Sequence, residues 1–148
     1  MDFSFKVDGL KDLEKAMNKL EDRGIGVKIL RSAGRKAMKP VLEDAKANVA
    51  VRTGSLRDSL MATSKTSRRY KSVSIFIGPQ RKSRTRKGVK TTYNKQLNQR
   101  KTLALEYGTK KQAPKPFLRP ALDKNAAQVL SLFKDHVAAA IDKAVRGI

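Results

Sequence analysis

The sequence contains no cysteine and only one histidine, His136, among its 148 residues. Without cysteine the chain can form no disulfide, no thiolate zinc site and no thiol nucleophile. The absence of disulfides fits a reducing compartment. No stretch approaches the roughly 18 consecutive apolar residues of a membrane-spanning helix. The first residues also lack the basic segment and apolar run of a secretory signal. We therefore expect a chain that is made in the cytoplasm and does not enter a membrane.

Acidic residues are scarce as well, with 13 Asp and Glu against 34 Lys and Arg and a formal net charge of +21. A compact state with this charge must tolerate strong self-repulsion or bind an anionic partner. The imbalance is greatest at 80–102, which has no acidic residue and almost no large apolar one. Because such a segment cannot build a core, we predict a long, mobile basic loop between two strands.

The cations of this loop are candidates for contact with DNA or with an acidic protein, and a purely solvated surface is the alternative that stays open. The candidates are Arg81, Lys82, Arg84, Arg86, Lys87 and Lys90. Tyr70 and Tyr93 are too few to form an aromatic platform for stacked bases.

Residues for catalysis are missing from the sequence. His136 has no second imidazole with which to share a metal, and no serine stands in a G-x-S-x-G elbow where it could use this histidine as a base. Adjacent carboxylates such as Glu43 and Asp44 point to different faces of a helix. No glycine-rich loop is followed by a phosphate-binding lysine. We predict no catalytic residue, no metal site, no cofactor and no enzymatic activity.

Hydrophobic periodicity predicts a single α+β domain over residues 1–148. Alternation at 3–7 predicts a short strand, and helical spacing at 10–20 predicts a helix. A long middle helix follows from Ile25 to Val49, and Pro40 inside it predicts a kink or a break. Alternation predicts further strands at 56–63, 73–77 and 103–107, and a C-terminal helix begins after Phe117. The expected fold is a small antiparallel sheet of three to four strands packed against the middle and C-terminal helices.

Two clusters of residues are more specific than these patterns. The first is a T-G-x-L-R-x-S signature at Thr53, Gly54, Leu56, Arg57 and Ser59, directly after the middle helix. The second combines E-Y-G-T at 106–109 with P-F-L-R-P-A at 116–121. Together they resemble the tail-component family of lambda-like long-tailed phages, which comprises neck and tail-completion proteins that join head to tail.

This resemblance extends over nearly the whole chain and implies a structural subunit of the virion. It implies a homo-oligomeric ring, six-fold or alternatively twelve-fold, that contacts the head–tail connector and the tail-terminator protein, with DNA in its lumen as a further partner. Two features depart from the family pattern. Ala50 and Val51 stand where a proline often precedes the T-G turn, and the basic segment at 80–102 is longer than the family requires.

The signature residues also have a physical reading that does not depend on the family. Gly54 and Gly108 suit positions of positive φ, and Thr53 can bond nearby backbone groups, so both glycines predict turns. Glu106, the one acid near the basic loop, is expected to pair with Arg57 or Arg119. Both an architectural and an assembly role stay open for the whole set, which is Thr53, Gly54, Leu56, Arg57, Glu106, Tyr107, Gly108, Thr109, Pro116, Phe117, Leu118, Arg119 and Pro120.

Overall fold

The computed structural model describes residues 25–67, 72–80, 82–86 and 89–146, and for the strands at 82–86 and 89–93 it describes the backbone. The predicted strand at 3–7 and helix at 10–20 lie outside these residues. Five helices and four strands follow each other along the described part of the chain. They are α1 (Ile25–Ala37), α2 (Lys39–Asn48), α3 (Ser55–Ser59), β1 (Leu60–Ser67), β2 (Ser72–Pro79), β3 (Lys82–Arg86), β4 (Val89–Tyr93), α4 (Lys95–Tyr107) and α5 (Leu118–Arg146).

The middle helix is divided in two, as Pro40 predicts. α1 ends at Ala37 and α2 begins at Lys39, with Pro40 in the first turn of α2, where its missing N–H costs no helical bond. The Met38 N–H still donates to the Gly34 carbonyl, and the Leu42 N–H donates to the Met38 carbonyl. The two helices are therefore consecutive segments of one bent rod.

The core lies between this rod and the long helix α5. One cluster joins α2 and α3 to the N-terminal end of α5, and it contains Val41, Ala45, Val49, Leu56, Leu60, Phe117 and Ala121. A second cluster joins α1 to the C-terminal half of α5 through Ile29, Ala33, Val137 and Ile141. The rod thus runs antiparallel to α5, and the predicted C-terminal helix is confirmed. Leu122, near the start of this helix, is 45% exposed.

The strands β1 and β2 form a two-stranded antiparallel sheet in which Thr63 pairs with Phe76. Val73, Ile75 and Ile77 are half-buried while Ser72, Ser74 and Phe76 are exposed, which confirms the predicted alternation. Helix α1 packs closely on the inner face, since a Cβ at Gly34 would lie 2.7 Å from a side-chain carbon of Ile75. This position therefore needs glycine.

The predicted sheet of three to four strands is wrong for the described residues, because β3 and β4 pair only with each other in a second two-stranded sheet. The strand expected at 56–63 begins only at Leu60, after the helical turn α3. The strand expected at 103–107 is the last part of helix α4. Gly54 has positive φ as predicted, but it precedes α3, whereas the middle helix already ends at Asn48.

The segment at 80–102, predicted as a loop, is a hairpin followed by a helix. β3 pairs with β4 from Lys82 opposite Tyr93 to Arg86 opposite Val89. Asn94 then caps α4, because its side-chain oxygen accepts the N–H groups of Gln96 and Leu97 at 2.9 and 3.2 Å. A hairpin satisfies its backbone hydrogen bonds without a core, so the lack of apolar residues did not exclude strands here.

Candidate interaction site

Helix α4 buries polar residues and exposes apolar ones, and this reversal of the usual pattern defines the candidate site. Its buried residues are Asn98, Thr102 and Glu106, spaced four apart on one face. Its exposed residues include Leu97, Leu103 and Tyr107, with 51%, 58% and 66% of their surface accessible. The buried polar groups of such a helix need hydrogen-bond partners. In the part of the chain that the structure describes, the apolar residues on the other face of α4 stay exposed.

The amide of Asn98 bonds α4 to the T-G-x-L-R-x-S segment. Asn98 Nδ2 donates to Ser59 Oγ at 3.0 Å and to the Ser55 carbonyl at 3.3 Å, and Ser55 Oγ donates to Asn98 Oδ1 at 3.3 Å. Ser59 Oγ in turn donates to the Leu56 carbonyl at 2.8 Å. The serines of the first signature therefore hold α4 in place.

Glu106 is the last buried residue of this polar stripe, and its side chain caps the N-terminus of another helix, α5. Its Oε1 accepts the N–H groups of Phe117 and Leu118 at 2.8 and 2.6 Å. The first turn of α5 contains no acidic residue, so Glu106 supplies the negative charge that the helix dipole favours at its N-terminus. The second signature thus joins the end of α4 to the start of α5.

Arg119 completes this cluster at the surface. Its Nε lies 3.9 Å from Glu106 Oε2, and its guanidinium carbon lies 4.4 Å from the centre of the Tyr107 ring. Pairing of Glu106 with Arg119 is therefore confirmed, whereas Arg57 instead lies 3.7 Å from Asp58. Tyr107 and Arg119 are both mainly exposed, and aromatic and arginine side chains are enriched at protein interfaces.

Gly108 and the residues after it form the connection between α4 and α5. Gly108 has a φ of +76°, and a Cβ there would lie 2.9 Å from the Gln112 carbonyl oxygen and 3.0 Å from Pro114. The Thr109 N–H donates to the Gln112 carbonyl at 2.9 Å, and the Lys115 N–H donates to the Leu105 carbonyl at 2.7 Å. Pro116 is exposed, Phe117 is buried, and Pro120 lies within the first turn of α5.

The first signature and helix α4 line a surface groove of about 470 Å³. From the first signature the lining includes Thr53, Gly54, Leu56 and Arg57, and from α4 it includes Lys101, Ala104 and Leu105. The Ser55 N–H lies 3.5 Å from Thr53 Oγ1, so this threonine bonds the turn that Gly54 opens.

The basic candidates lie on the hairpin, apart from this groove. Lys82, Arg84 and Arg86 occupy alternate positions of β3 and so share one face of the ribbon, while Lys90 pairs with Thr85 of the opposite face. Arg81 and Lys87 lie outside the described residues. The chain has no acidic residue between Asp58 and Glu106, so the hairpin and most of α4 belong to one basic segment.

Asp44 forms a further polar contact that the sequence reasoning did not identify. Its Oδ2 accepts Asn125 Nδ2 at 2.7 Å and lies 3.1 Å from Lys124 Nζ, which connects α2 to α5. The hydrogen bond from Asn125, followed by that from Lys124, lowers the pKa of Asp44. Asn98 was missed too, although the four-residue spacing of Asn98, Thr102 and Glu106 was a readable signal.

Within the described residues no helix combines the length and apolar character needed to cross a bilayer. In that same part of the chain, no three His, Cys, Asp or Glu side chains lie close enough together to hold a metal ion. The site is therefore built from a helix cap, a buried amide network, an apolar helix face and clustered cations.

Comparison with known proteins identifies the class. The family model described as "Bacteriophage HK97-gp10, putative tail-component" matches residues 11–99, more than half of the chain. The chain belongs to this family of phage tail components, which gives it a structural role in the virion. The match includes the first signature and the hairpin but ends in α4 before Glu106. No curated protein and no solved structure matches the chain.

Proposed function

We propose that this tail component is a neck or tail-completion subunit that assembles into a closed ring at the head–tail junction and acts by assembly alone, without catalysis. The observation that carries the proposal is the outward apolar face of α4. On α4, the exposed Leu103 and Tyr107 are one helical turn apart. On α5, Arg119 lies over the Tyr107 ring, and the exposed Leu122 follows it by about one turn. All four side chains are exposed, and Tyr107 contacts Arg119 across the two helices; we call this set the α4–α5 strip.

An apolar strip of this kind favours contact with another protein. Single exposed apolar residues are ordinary on a protein surface, whereas contiguous ones mark interaction sites. Glu106 Oε2 lies 3.9 Å from Arg119 Nε, so one member of the strip is already paired before any partner binds. In a ring each subunit binds its neighbour through two different patches, and the strip supplies one of them. A six-fold ring follows the symmetry of the tail, and a twelve-fold ring is the alternative.

Electron microscopy of particles tests this proposal. Phage lacking the gene should yield separate heads and tails or improperly finished tails, whereas normal infectious virions would refute a role at the junction. Leu103→Ser with Tyr107→Ser should give folded subunits that do not form rings, measured by native mass spectrometry alone and with candidate connector and terminator proteins. Lys134→Ser with Lys143→Ser, at exposed positions of α5, is the matched control that should assemble normally.

A second function, binding of DNA without base readout, is favoured by the hairpin. Lys82, Arg84 and Arg86 on one face of β3 provide a row of cations for phosphates. Replacing Arg81, Lys82, Arg84, Arg86 and Lys87 by Ser should abolish salt-sensitive binding to duplex DNA while rings still form. For the unaltered chain, the logarithm of the binding constant should fall with log salt by about 0.9 per phosphate neutralised. Absence of any salt-sensitive binding would exclude this function.

A further inference from the structure

We propose that the groove between the T-G-x-L-R-x-S segment and α4 binds an extended segment of a neighbouring virion protein that carries carboxylates among apolar side chains. The proposal rests on the assignment of the chain as an assembling tail component, and it adds a second contact surface and the chemistry of its partner. The groove lies on a different side of α4 from the α4–α5 strip, because Lys101, Ala104 and Leu105 line it while Leu103 and Tyr107 do not.

The floor of the groove is apolar. Its volume of about 470 Å³ lies in the range of about 300–1,000 Å³ typical of sites that enclose a ligand. At the edge of the groove, Val51 has 54% of its surface exposed to water. Covering this apolar surface would be favourable. The apolar lining consists of Ala50, Val51, Leu56, Ala104 and Leu105. A partner that fills this floor must therefore bring apolar side chains.

The rim of the groove carries cations and no carboxylate. Arg52, Arg57 and Lys101 all line it, all three are exposed, and no Asp or Glu is among the lining residues. Asp58 lies 3.7 Å from Arg57 Nε and offsets part of that one charge. Arginine and lysine at the rim of an apolar groove are the arrangement by which proteins recognise acidic peptide segments.

A protein partner fits these residues better than DNA does. Phosphate recognition needs donors and a positive potential, but it makes no use of an apolar floor. A second copy of this chain fits less well, because two chains that each carry a net charge of +21 repel each other. The groove is held rigid by Asn98, which fixes α4 to Ser55 and Ser59, so little ordering is needed when a partner binds.

The first experiment measures binding of the purified full-length chain to a fluorescein-labelled hexapeptide of alternating Leu and Glu, by fluorescence polarisation. Lys101→Glu should weaken binding about ten-fold, because it turns an attraction at the rim into a repulsion. Arg100→Glu is the matched control: it makes the same charge change on the adjacent residue, which does not line the groove, and it should weaken binding less than about two-fold. Equal effects of the two variants would overturn the proposal, since they would indicate only general attraction to a basic chain.

Further probes separate apolar contact from charge. The peptide with Gln in place of Glu should bind much more weakly, and Ala104→Trp, which fills the floor, should abolish binding while the circular dichroism spectrum stays unchanged. Arg52→Glu provides a second rim variant should Lys101→Glu unfold. Binding of a short DNA duplex that is lost in Lys101→Glu but kept in Arg100→Glu would overturn the proposal in favour of a nucleic-acid groove.

The second experiment places a photo-crosslinking benzoylphenylalanine at position 51, an exposed position at the edge of the groove, in assembled particles. The expected adduct joins this residue to an acidic segment of another virion protein, identified by mass spectrometry. An adduct with a copy of this chain or with DNA would overturn the proposal. The peptide measurement needs neither rings nor virions, so its failure is distinguishable from failure of the proposed role at the head–tail junction.

Discussion

Gly108 is the residue at which the chain leaves α4, and its φ of +76° is a conformation that residues with a Cβ rarely adopt. Gly108→Ala would also place a methyl group 2.9 Å from the Gln112 carbonyl oxygen. We expect a loss of about 1–3 kcal/mol in the free energy of unfolding, measured by urea denaturation. Gly78→Ala is the control, because a Cβ there has no neighbour within 4 Å. Equal stability of the two variants would contradict this account of the turn.

Asp44 makes the stability of the chain depend on pH at the same scale. Hydrogen bonds from Asn125 and Lys124 lower the pKa of Asp44 in the folded chain, so its contribution is fully present above the pKa of the unfolded chain. It is lost as pH falls through the lower pKa of the folded chain. Asp44→Asn should therefore lower the urea midpoint at pH 7, and the difference should close in acid. Asp135→Asn, at an exposed position of α5, should show no such pH-dependent difference.

At the scale of elements, Glu106 determines how α5 begins. Glu106→Ala would leave the Phe117 and Leu118 N–H groups without their acceptor, and we expect a loss of about 2–3 kcal/mol in unfolding free energy. Glu106→Gln, which keeps an acceptor but loses the charge, should recover part of this loss. Glu43→Ala removes an exposed acid that lies 3.8 Å from Lys39, and it should cost less than about 0.5 kcal/mol. A similar small effect for Glu106→Ala would show that α5 does not need this cap.

The elements that the sequence predicted well are those whose apolar residues face the core. The bent middle helix, β2 and α5 follow this rule, because burial of their apolar stripes drives their packing. Helix α4 violates it, since Leu103 and Tyr107 face outward and Asn98 and Glu106 face inward. The alternation at 103–107 therefore predicted a strand that is not there. Periodicity assumes that polar residues face water, and it fails where buried partners bond them.

At the scale of the whole molecule, the net charge of +21 should limit stability through self-repulsion. We expect the thermal midpoint of the purified chain to rise by several degrees between low salt and about 0.2 M NaCl, where the screening length falls to about 7–8 Å. Calorimetry measures this change. Replacing Lys82, Arg84 and Arg86 together by Ser should reduce both the repulsion and the response to salt. A midpoint that does not move with salt would show that the positive charges are too far apart to repel.

The sequence by itself determined the charge of this protein and its lack of cysteine. Its residue order also determined the middle and C-terminal helices and the two signatures that indicate a phage tail component. These properties depend on residue type or on contacts along the chain, which a linear pattern records. Only the tertiary structure decided that the first signature and α4 line one groove, that Glu106 caps a helix eleven residues further on, and that α4 presents its apolar face outward. Each of these depends on which distant groups satisfy a buried polar atom, and hydrophobic periodicity does not record that pairing.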